Sequence, residues 1–212
     1  MNPPAIAIDG PAASGKSTVA KLIAKELGYT FINTGAMYRA IAWYLVQQGV
    51  PATDTERVRE LLPSIPLQFG KEGAMSTVVY DGRVLTGELT EPSTNENVST
   101  VAAIPEVRAY LLHKQREYNL TEPVVMEGRD IGSVVFPDTP FKYFVTASPE
   151  VRAKRRADQG LTDSIAERDK KDAARACAPL TQAPDALLVD TSDLSIDQVV
   201  ALIVNDIRTK LA

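Results

Sequence analysis

The chain has 212 residues, of which 44% are hydrophobic and 24% are charged, and its formal net charge is −4. This composition is ordinary for a globular protein, and the length fits one α/β domain with a small insertion or lid rather than a disordered chain. The acidic balance argues against a nucleic-acid partner, because a protein that grips a long polyanion is usually basic. A small anionic ligand stays possible, since a few well-placed arginines suffice for one phosphate.

The cysteine and histidine content narrows the chemistry further. The single cysteine, Cys177, cannot form an intramolecular disulfide or a cysteine-based zinc cluster. The single histidine, His113, lies in a polar run, which predicts an exposed helix position rather than a metal ligand. No targeting segment is visible, and no segment approaches the ~20 apolar residues that cross a bilayer. We therefore expect a cytoplasmic protein that acts without a membrane.

The first quarter of the chain predicts two strand–helix pairs. Residues 5–8 form a short apolar run before Asp9 and Gly10, which predicts a buried strand and a tight turn. Apolar residues at helical spacing predict a helix over residues 16–27, which Gly28 ends. A second strand is predicted at residues 30–32 and a second helix at residues 37–48.

A small antiparallel insert is predicted next, from about residue 65 to residue 90. Its short strands are predicted at residues 67–69, 77–80 and 83–85. Asp81 and Gly82, between the last two strands, are a strong signal for a β-hairpin, because both tolerate the left-handed backbone that a tight hairpin turn requires.

The rest of the chain returns to alternating helices and strands. Helices are predicted at residues 93–103, 105–118, 149–157 and 196–211, and residues 158–180 are charged and helical in part. Strands are predicted at residues 123–126, 141–146 and 186–189. This alternation indicates an α/β fold with a parallel sheet covered by helices on both faces.

The strongest signal is a phosphate-binding loop between the first strand and the first helix. It reads Gly10, Pro11, Ala12, Ala13, Ser14, Gly15, Lys16, Ser17 and Thr18, which matches the pattern G-x-x-x-x-G-K-[ST] in full. The glycines let the backbone wrap around a phosphate, and the N–H groups at the helix start point at the anion. Lys16 would reach the β and γ phosphates, and the Ser17 hydroxyl would bind Mg²⁺. The loop predicts binding of a nucleoside triphosphate, but it does not identify the acceptor.

Three classes of protein with such a loop compete: small-molecule kinases, GTP-dependent switches, and motor or assembly ATPases. A GTP switch normally carries Asn-Lys-x-Asp for guanine, and the chain has no such run. A motor-type ATPase usually shows an apolar strand that ends in Asp-Glu, which is also absent. The small size of the chain adds to these observations in favour of a small-molecule kinase.

Further segments carry a family resemblance. Residues 33–39 read Asn-Thr-Gly-Ala-Met-Tyr-Arg, which is similar to the acceptor-binding segment of nucleoside monophosphate kinases. Residues 127–138 read Glu-Gly-Arg-Asp-Ile-Gly-Ser-Val-Val-Phe-Pro-Asp, and a Glu-Arg-Asp-x-x-Asp run precedes Arg175-x-x-Ala-Pro-Leu. With the phosphate loop and the insert hairpin, these segments resemble bacterial cytidylate kinases over nearly the whole chain. The resemblance implies transfer of the γ-phosphate of ATP to CMP or dCMP, with Mg²⁺ as the cofactor.

The resemblance also implies roles for individual residues. The catalytic residues would be Lys16, Arg129, Arg152 and Arg156, and the ATP-binding residues would be those of the loop, residues 10–18. The CMP-binding residues would be Thr34, Tyr38, Arg39, Ser99, Arg108, Arg129, Asp130, Arg168, Asp172 and Arg175.

Within the CMP-binding set, the resemblance separates three tasks. The acceptor phosphate would be held by Arg39 and Arg129, the base would be read by Arg108, Asp130 and Arg175, and the pentose would lie near Ser99, Arg168 and Asp172. An arginine suits a phosphate because its planar fork can donate two hydrogen bonds, and a carboxylate suits the exocyclic amine of cytosine.

The predicted helix at residues 149–157 carries the arginines assigned to ATP. Arg152 and Arg156 are four residues apart and share a face, and the resemblance places one against adenine and the other against the phosphates. Lys154 and Arg155 are expected to be solvent-exposed.

Simpler interpretations stay open for some of these residues. Arg39 could be a surface charge on a helix, and Arg168 and Asp172 could form an i,i+4 ion pair on a solvated face. Residues 152–175, with eight basic and five acidic side chains, could be a solvated helix pair rather than a lid that closes over phosphates.

The expected organisation is a monomer with three regions. The core would comprise residues 1–35, 97–150 and 176–212, the acceptor-binding region with its β insert about residues 36–96, and the lid about residues 151–175. Two features depart from the family pattern. Asn33 stands where the family more often has Asp, and the segment between Arg156 and Arg168 is shorter than in many members.

Overall fold

The computed structural model describes residues 3–158, 165–175, 177 and 179–211, with only the backbone of residues 165–168. Its strands are β1 (Ala5–Asp9), β2 (Thr30–Asn33), β3 (Leu67–Glu72), β4 (Met75–Tyr80), β5 (Arg83–Val84), β6 (Val124–Gly128), β7 (Lys142–Thr146) and β8 (Leu187–Asp190). Its helices are α1 (Lys16–Leu27), α2 (Thr34–Gln47), α3 (Thr55–Leu61), α4 (Pro92–Val101), α5 (Pro105–Glu117), α6 (Pro149–Asp158), α7 (Ile165–Ala173) and α8 (Ile196–Leu211). Residues 159–164 of the predicted lid lie outside the described residues.

The strands form one sheet in the order β3-β4-β2-β6-β1-β7-β8, with β5 paired to β4. From β2 to β8 all neighbouring strands are parallel. The side chains of the central strands β1 and β6 are buried on both faces, as a sheet covered by helices requires. The predicted α/β fold with a parallel sheet is therefore confirmed.

Helices pack on both faces of the sheet. On one face, α1 and α8 cover a cluster that includes Ile6, Ile8 and Tyr143. On the other face, Ala5, Ala7 and the neighbouring strand residues pack against partly buried side chains at the end of α5. A third cluster joins α2, α4 and α5 to the hairpin strands. Ile6 has no exposed surface. This buried strand therefore holds in place the sheet edge from which the phosphate loop starts.

The insert strands extend the central sheet. β3 and β4 form an antiparallel pair, and β4 also pairs with β2 in parallel through Phe31 and Met75. The predicted turn at Asp81 and Gly82 joins β4 to β5, and both residues have positive φ, 49° and 72°. These angles are those of the tight hairpin turn that an Asp-Gly pair favours.

Sequence reasoning missed some local elements and misplaced several boundaries by one to three residues. Helix α2 begins at Thr34, three residues before the predicted start, because Asn33 caps it by accepting a hydrogen bond from the Ala36 N–H at 3.0 Å. Helix α3 and a single π-helical turn at Ile131–Val135 were not predicted. Both segments are too short for a helical spacing of apolar residues to be recognised in the sequence.

Two smaller observations concern the surface. The side chain of His113 is 76% exposed on α5, which confirms its predicted position. Within the described residues, no helix combines the length and the apolar character that a membrane crossing needs.

The phosphate loop depends on a close approach between backbones. Gly10 follows β1 with φ 155°, and a Cβ placed there would lie 2.0 Å from the Val145 carbonyl oxygen of β7. Gly15, with φ 88°, is the residue before α1. The loop can therefore leave the sheet beside β7 only if residue 10 has no side chain.

We predict that Gly10→Ala lowers the free energy of unfolding by at least ~2 kcal/mol, because the new methyl group clashes with backbone that cannot move cheaply. Urea unfolding followed by circular dichroism measures the change. Gly87→Ala is the matched control, since a Cβ at Gly87 meets nothing within 4 Å. Equal stabilities of the two variants would contradict this account of Gly10.

Candidate active site

A cleft of 340 Å³ lies at the carboxyl ends of the parallel strands β1, β2 and β6. In a sheet of this kind the carboxyl ends of the strands are where ligands bind. Of the residues predicted from sequence, the cleft is lined by residues 12–18, Thr34, Tyr38, Arg39, Ser99, Arg108, Arg129, Asp130, Arg156, Asp172 and Arg175. Other lining residues, which were not predicted, are Gly35, Thr90, Asn95, Val98, Ala102, Glu127 and Gly128. The phosphate loop and the residues assigned to the acceptor thus share one cavity.

Some predicted residues do not line the cleft. Gly10 and Pro11 are not part of the lining, and neither is Arg152, whose guanidinium donates to the carbonyl oxygen of the lining residue Ala12 at 3.2 Å. The side chain of Arg168 lies outside the described part of the chain, so its predicted contact with the pentose stays a prediction.

One end of the cleft is formed by the phosphate loop and the start of α1. Lys16 is 6% exposed, and its ammonium group donates to the Pro11 carbonyl oxygen at 3.0 Å. The same nitrogen lies 4.0 Å from the Glu127 carboxylate. The N–H groups at the start of a helix have no partner within the helix, and they carry the positive end of its dipole. A buried cation and these donors make this end of the cleft suitable for a phosphate chain.

Glu127 is a site residue that sequence reasoning missed. It lies near the end of β6, 4% exposed, and accepts a hydrogen bond from the Ser17 hydroxyl at 2.8 Å. Its own carbonyl oxygen accepts from the Thr34 hydroxyl, also at 2.8 Å. The available signal was its place at the end of an apolar strand, the position from which parallel strands deliver side chains to a ligand.

The start of α2 approaches β6 closely. A Cβ on Gly128 would lie 2.7 Å from the Thr34 hydroxyl, so the contact requires a glycine. Asn33 performs the cap of this helix with its amide oxygen, and an amide caps about as well as the carboxylate that the family more often has there. The departure from the family pattern at residue 33 therefore leaves the helix start intact.

A buried ion pair also lines the cleft. Arg108 and Asp130 form a salt bridge, and both side chains are 8% exposed. Arg108 also donates to the Ala102 carbonyl oxygen at 3.1 Å, and its guanidinium lies 5.6 Å from the centre of the Tyr38 ring. Burial alone would lower the pKa of Arg108, but Tyr38 and Asp130 together raise it. Burial raises the pKa of Tyr38 to about 12, so its hydroxyl stays protonated at neutral pH.

A second group of ion pairs joins helix α7 to the segment that follows β6. Asp172 of α7 pairs with Arg129 at 2.8 Å and with Arg175 through its other oxygen. Asp172 is therefore not limited to a solvated helix face, since it is 2% exposed and reaches across to β6. Burial lowers the pKa of Arg175, and its Nε is a buried donor that has no hydrogen-bond partner among the described residues. Such a donor in a cleft suits an anionic or polar ligand.

Helix α6 places its arginines differently from the prediction. Arg155, expected to be exposed, is half-buried and donates to the Thr191 hydroxyl at 2.9 Å and to the Ser14 carbonyl oxygen at 3.3 Å. The prediction that Arg155 is exposed was wrong, because its partners are distant in sequence. The prediction that Lys154 is exposed is confirmed. Arg152 pairs with Asp169 of α7, whose other oxygen accepts from the Ala12 N–H at 3.2 Å.

One buried carboxylate of the loop region was assigned no role. Asp9, the last residue of β1, is 5% exposed and accepts hydrogen bonds from the backbone N–H groups of Ile131 and Gly132, both at 2.8 Å. Burial raises its pKa from the ordinary value of 3.8 to about 7, against these two N–H groups, which lower it. Of the nearby charges, Asp130 raises the pKa and Lys16 lowers it.

The raised pKa of Asp9 predicts a pH-dependent stability. The folded state holds the proton more tightly than the unfolded state, so the stabilisation is complete below the unfolded pKa and is lost as the pH rises through about 7. Between about pH 5 and about pH 8, the free energy of unfolding of the wild type should fall by ~2–3 kcal/mol relative to Asp9→Asn. Urea titrations of both proteins measure the difference, and a difference that stays constant or rises with pH would contradict the prediction.

Comparisons with known proteins agree on one family. A model of the family described as cytidylate kinase matches residues 6–209. A cytidylate kinase of Lactiplantibacillus plantarum is 44% identical, with 97% of this chain and 95% of that protein covered. A cytidylate kinase of Streptococcus gordonii is 45% identical, with 93% of each chain covered.

A solved structure supports the fold independently. The crystal structure of TT1252 from Thermus thermophilus is similar to this chain with a TM-score of 0.50 at 20% identity, and all of both chains is covered. At that identity the likeness shows the fold alone. The family match over nearly the whole chain and relatives more than 40% identical show that this chain belongs to the cytidylate kinase family.

Proposed function

We propose that the protein transfers the γ-phosphate of ATP to CMP or dCMP, which yields ADP and CDP or dCDP. The observation that carries the proposal is one cleft with two different ends. The phosphate loop lies at one end, and a buried Arg108–Asp130 pair with further arginines lies at the other. Membership of the cytidylate kinase family supports the same assignment.

At the donor end, the chain would hold the triphosphate by charge and backbone donors. Lys16 would exchange its contact with the Pro11 carbonyl oxygen for the β and γ phosphates, and the loop N–H groups would bind the remaining oxygens. Phosphoryl transfer requires positioning and compensation of a spreading negative charge rather than covalent help from the protein. A buried lysine attracts the phosphates strongly because little water screens its charge.

Mg²⁺ fits the oxygen donors beside the loop. This ion keeps several waters and takes one or two protein oxygens in addition to substrate phosphates. The Ser17 hydroxyl and the Glu127 carboxylate, 2.8 Å apart, would supply them. When bound, the ion neutralises charge on the β and γ phosphates.

At the acceptor end, we assign the base to the buried ion pair. The exocyclic amine of cytosine would donate to Asp130, and Arg108 and Arg175 would donate to the acceptor atoms of the ring. Tyr38, which is 9% exposed and lies against Arg108, would form a wall of the pocket.

The acceptor phosphate and pentose take the remaining residues. Arg39 and Arg129 would hold the phosphate of CMP, with Thr34 beside it. Ser99, Arg168 and Asp172 would contact the pentose. Because Asp172 now pairs with both Arg129 and Arg175, substrate binding would redistribute these contacts.

We also propose that residues 151–175 form a lid over a core of residues 1–35, 97–150 and 176–212, with the acceptor region at 36–96. Arg152 and Arg156 on this lid would bind ATP, one against adenine and one against the phosphates. The contact of Asp169 with the Ala12 N–H supports the idea that α7 can reach the phosphate loop. Closure would exclude water from the reaction.

The protein would act as a monomer in the cytoplasm. Residues of a single chain line both ends of the cleft, so no second subunit is needed to complete it. ATP and CMP are nucleotides of the cytoplasmic pool, which supports that location.

We predict that ADP formation from ATP depends on the acceptor. Without CMP or dCMP the rate should be at least about a hundredfold lower, because water is not positioned as the acceptor phosphate is. A coupled assay across the eight common ribo- and deoxyribonucleoside monophosphates measures it. ADP formation at the same rate with all eight acceptors and without any acceptor would instead favour a GTP switch or a macromolecular ATPase.

We predict that Lys16→Ala abolishes turnover in a folded protein, which the same assay measures. Lys21→Ala, at an exposed position on the same helix, is the matched control.

We predict that Asp130 sets the base preference. For the wild type, kcat/KM for CMP should exceed that for UMP by ~10–100-fold, because the O4 atom of uracil faces a carboxylate that then lacks a hydrogen bond. Asp130→Asn should narrow this ratio, since an amide presents either a donor or an acceptor. Steady-state kinetics with both acceptors decide the matter, with the exposed Asp138→Asn as control. An unchanged ratio in Asp130→Asn would remove Asp130 from base recognition.

A further inference from the structure

Asp9 connects the two ends of the cleft through its backbone and its side chain. Its backbone leads directly into Gly10 of the phosphate loop. One oxygen of its carboxylate accepts a hydrogen bond from the Ile131 N–H, and the other oxygen accepts one from the Gly132 N–H. These two donors open the π-helical turn Ile131–Val135.

The turn that Asp9 holds follows directly after the acceptor residues. Arg129 and Asp130 precede it in sequence, and the Asp130 carbonyl oxygen accepts from the Val134 N–H at 2.9 Å. The first N–H groups of a helical turn have no partner within the turn, so the carboxylate supplies the partner that fixes its direction. A shift of this turn would move the backbone that carries Arg129 and Asp130, and with it the two side chains that pair with Asp172 and Arg108.

Side chains from two other elements hold the far end of the same segment. Arg116 of α5 donates to the carbonyl oxygens of Val134 and Val135, both at 2.9 Å. Lys142 of β7 donates to the Pro137 carbonyl oxygen at 2.5 Å. Asp9 is therefore the anchor at the end of the segment that adjoins the acceptor residues.

We propose that Asp9 is a positioning residue for the acceptor, which holds the Arg129–Asp130 turn in register with the phosphate loop and so contributes to the choice of base. The inference rests on the proposed phosphorylation of CMP. Asp9 is not among the residues that line the cleft, so it would act through the backbone of residues 131 and 132.

The side chains around Gly132 leave little room for the turn to move. A Cβ on Gly132 would lie 3.4 Å from an Asp9 carboxylate oxygen and 3.1 Å from the Lys142 side chain. The charged groups that face Asp9 are Lys16 and Asp130, one from each end of the cleft. With the carboxylate replaced by an amide, one backbone N–H would face a donor, and the turn would have to shift.

The test is the kinetics of Asp9→Asn at about pH 8, above the pKa of about 7, where the wild-type carboxylate accepts both hydrogen bonds. The KM for CMP should rise by about tenfold or more, because a small displacement of a positioned group has a large kinetic effect. The KM for ATP should change less than about twofold, since the loop keeps Gly10 and its own contacts. The CMP-to-UMP ratio of kcat/KM should narrow.

Two further variants separate positioning from a loss of stability. Gly132→Ala places a methyl group 3.1 Å from the Lys142 side chain, which should displace the same turn and raise the KM for CMP in the same way, so the test survives if Asp9→Asn does not fold. Asp206→Asn removes the carboxylate that accepts from the Tyr143 hydroxyl at 2.6 Å, on α8 and far from the cleft. This control should lower the melting temperature without changing either KM or the base ratio.

The outcomes are distinct. An unchanged KM for CMP and base ratio in folded Asp9→Asn, or equal increases in both KM values, would overturn the positioning role and leave the kinase assignment intact. A wild type that does not phosphorylate CMP would instead overturn the proposed function itself.

Discussion

The parallel pairing of β1 with β6 is the constraint on which the rest of the site depends. In its register Asp9 lies opposite Gly128, so both strands end at the same level of the sheet. The phosphate loop leaves from one strand, and the turn with Arg129 and Asp130 leaves from the other. Because parallel strands end at a common edge, the phosphate loop and the residues Arg129 and Asp130 lie close together although they are far apart in sequence.

Carboxylates of the same chain hold the positive charge of this cleft in place. Asp130 pairs with Arg108, Asp172 pairs with Arg129 and Arg175. A buried guanidinium without a partner would be strongly unfavourable, so each carboxylate both orients and compensates an arginine. This arrangement explains how a chain with a net charge of −4 presents an anion site. In the proposed reaction, a phosphate bound at Arg129 would compete with the Asp172 carboxylate of α7, so substrate binding would act directly on the proposed lid.

Sequence reasoning succeeded where the determinant is local. The turn at Asp81 and Gly82 has the positive φ angles that these two residue types tolerate, and the apolar period of α1 ends at Gly28, which has φ 70°. The cleft residues Lys16, Arg39 and Arg129 were found because they lie in motifs that resemble a family. The roles of these residues remain predictions that the proposed kinetics would test.

Residues whose partners are distant in the chain escaped the sequence analysis. Glu127 contacts Ser17 across 110 positions, and Arg155 contacts Thr191 across 36. Asp9 reaches Ile131 across 122 positions. By itself, the sequence determined the phosphate loop, the order of all strands and of most helices, and the class of enzyme, because each depends on residues close together in the chain. Only the tertiary structure decided which carboxylate meets which arginine or N–H group, because those contacts arise from the register in which distant strands pair.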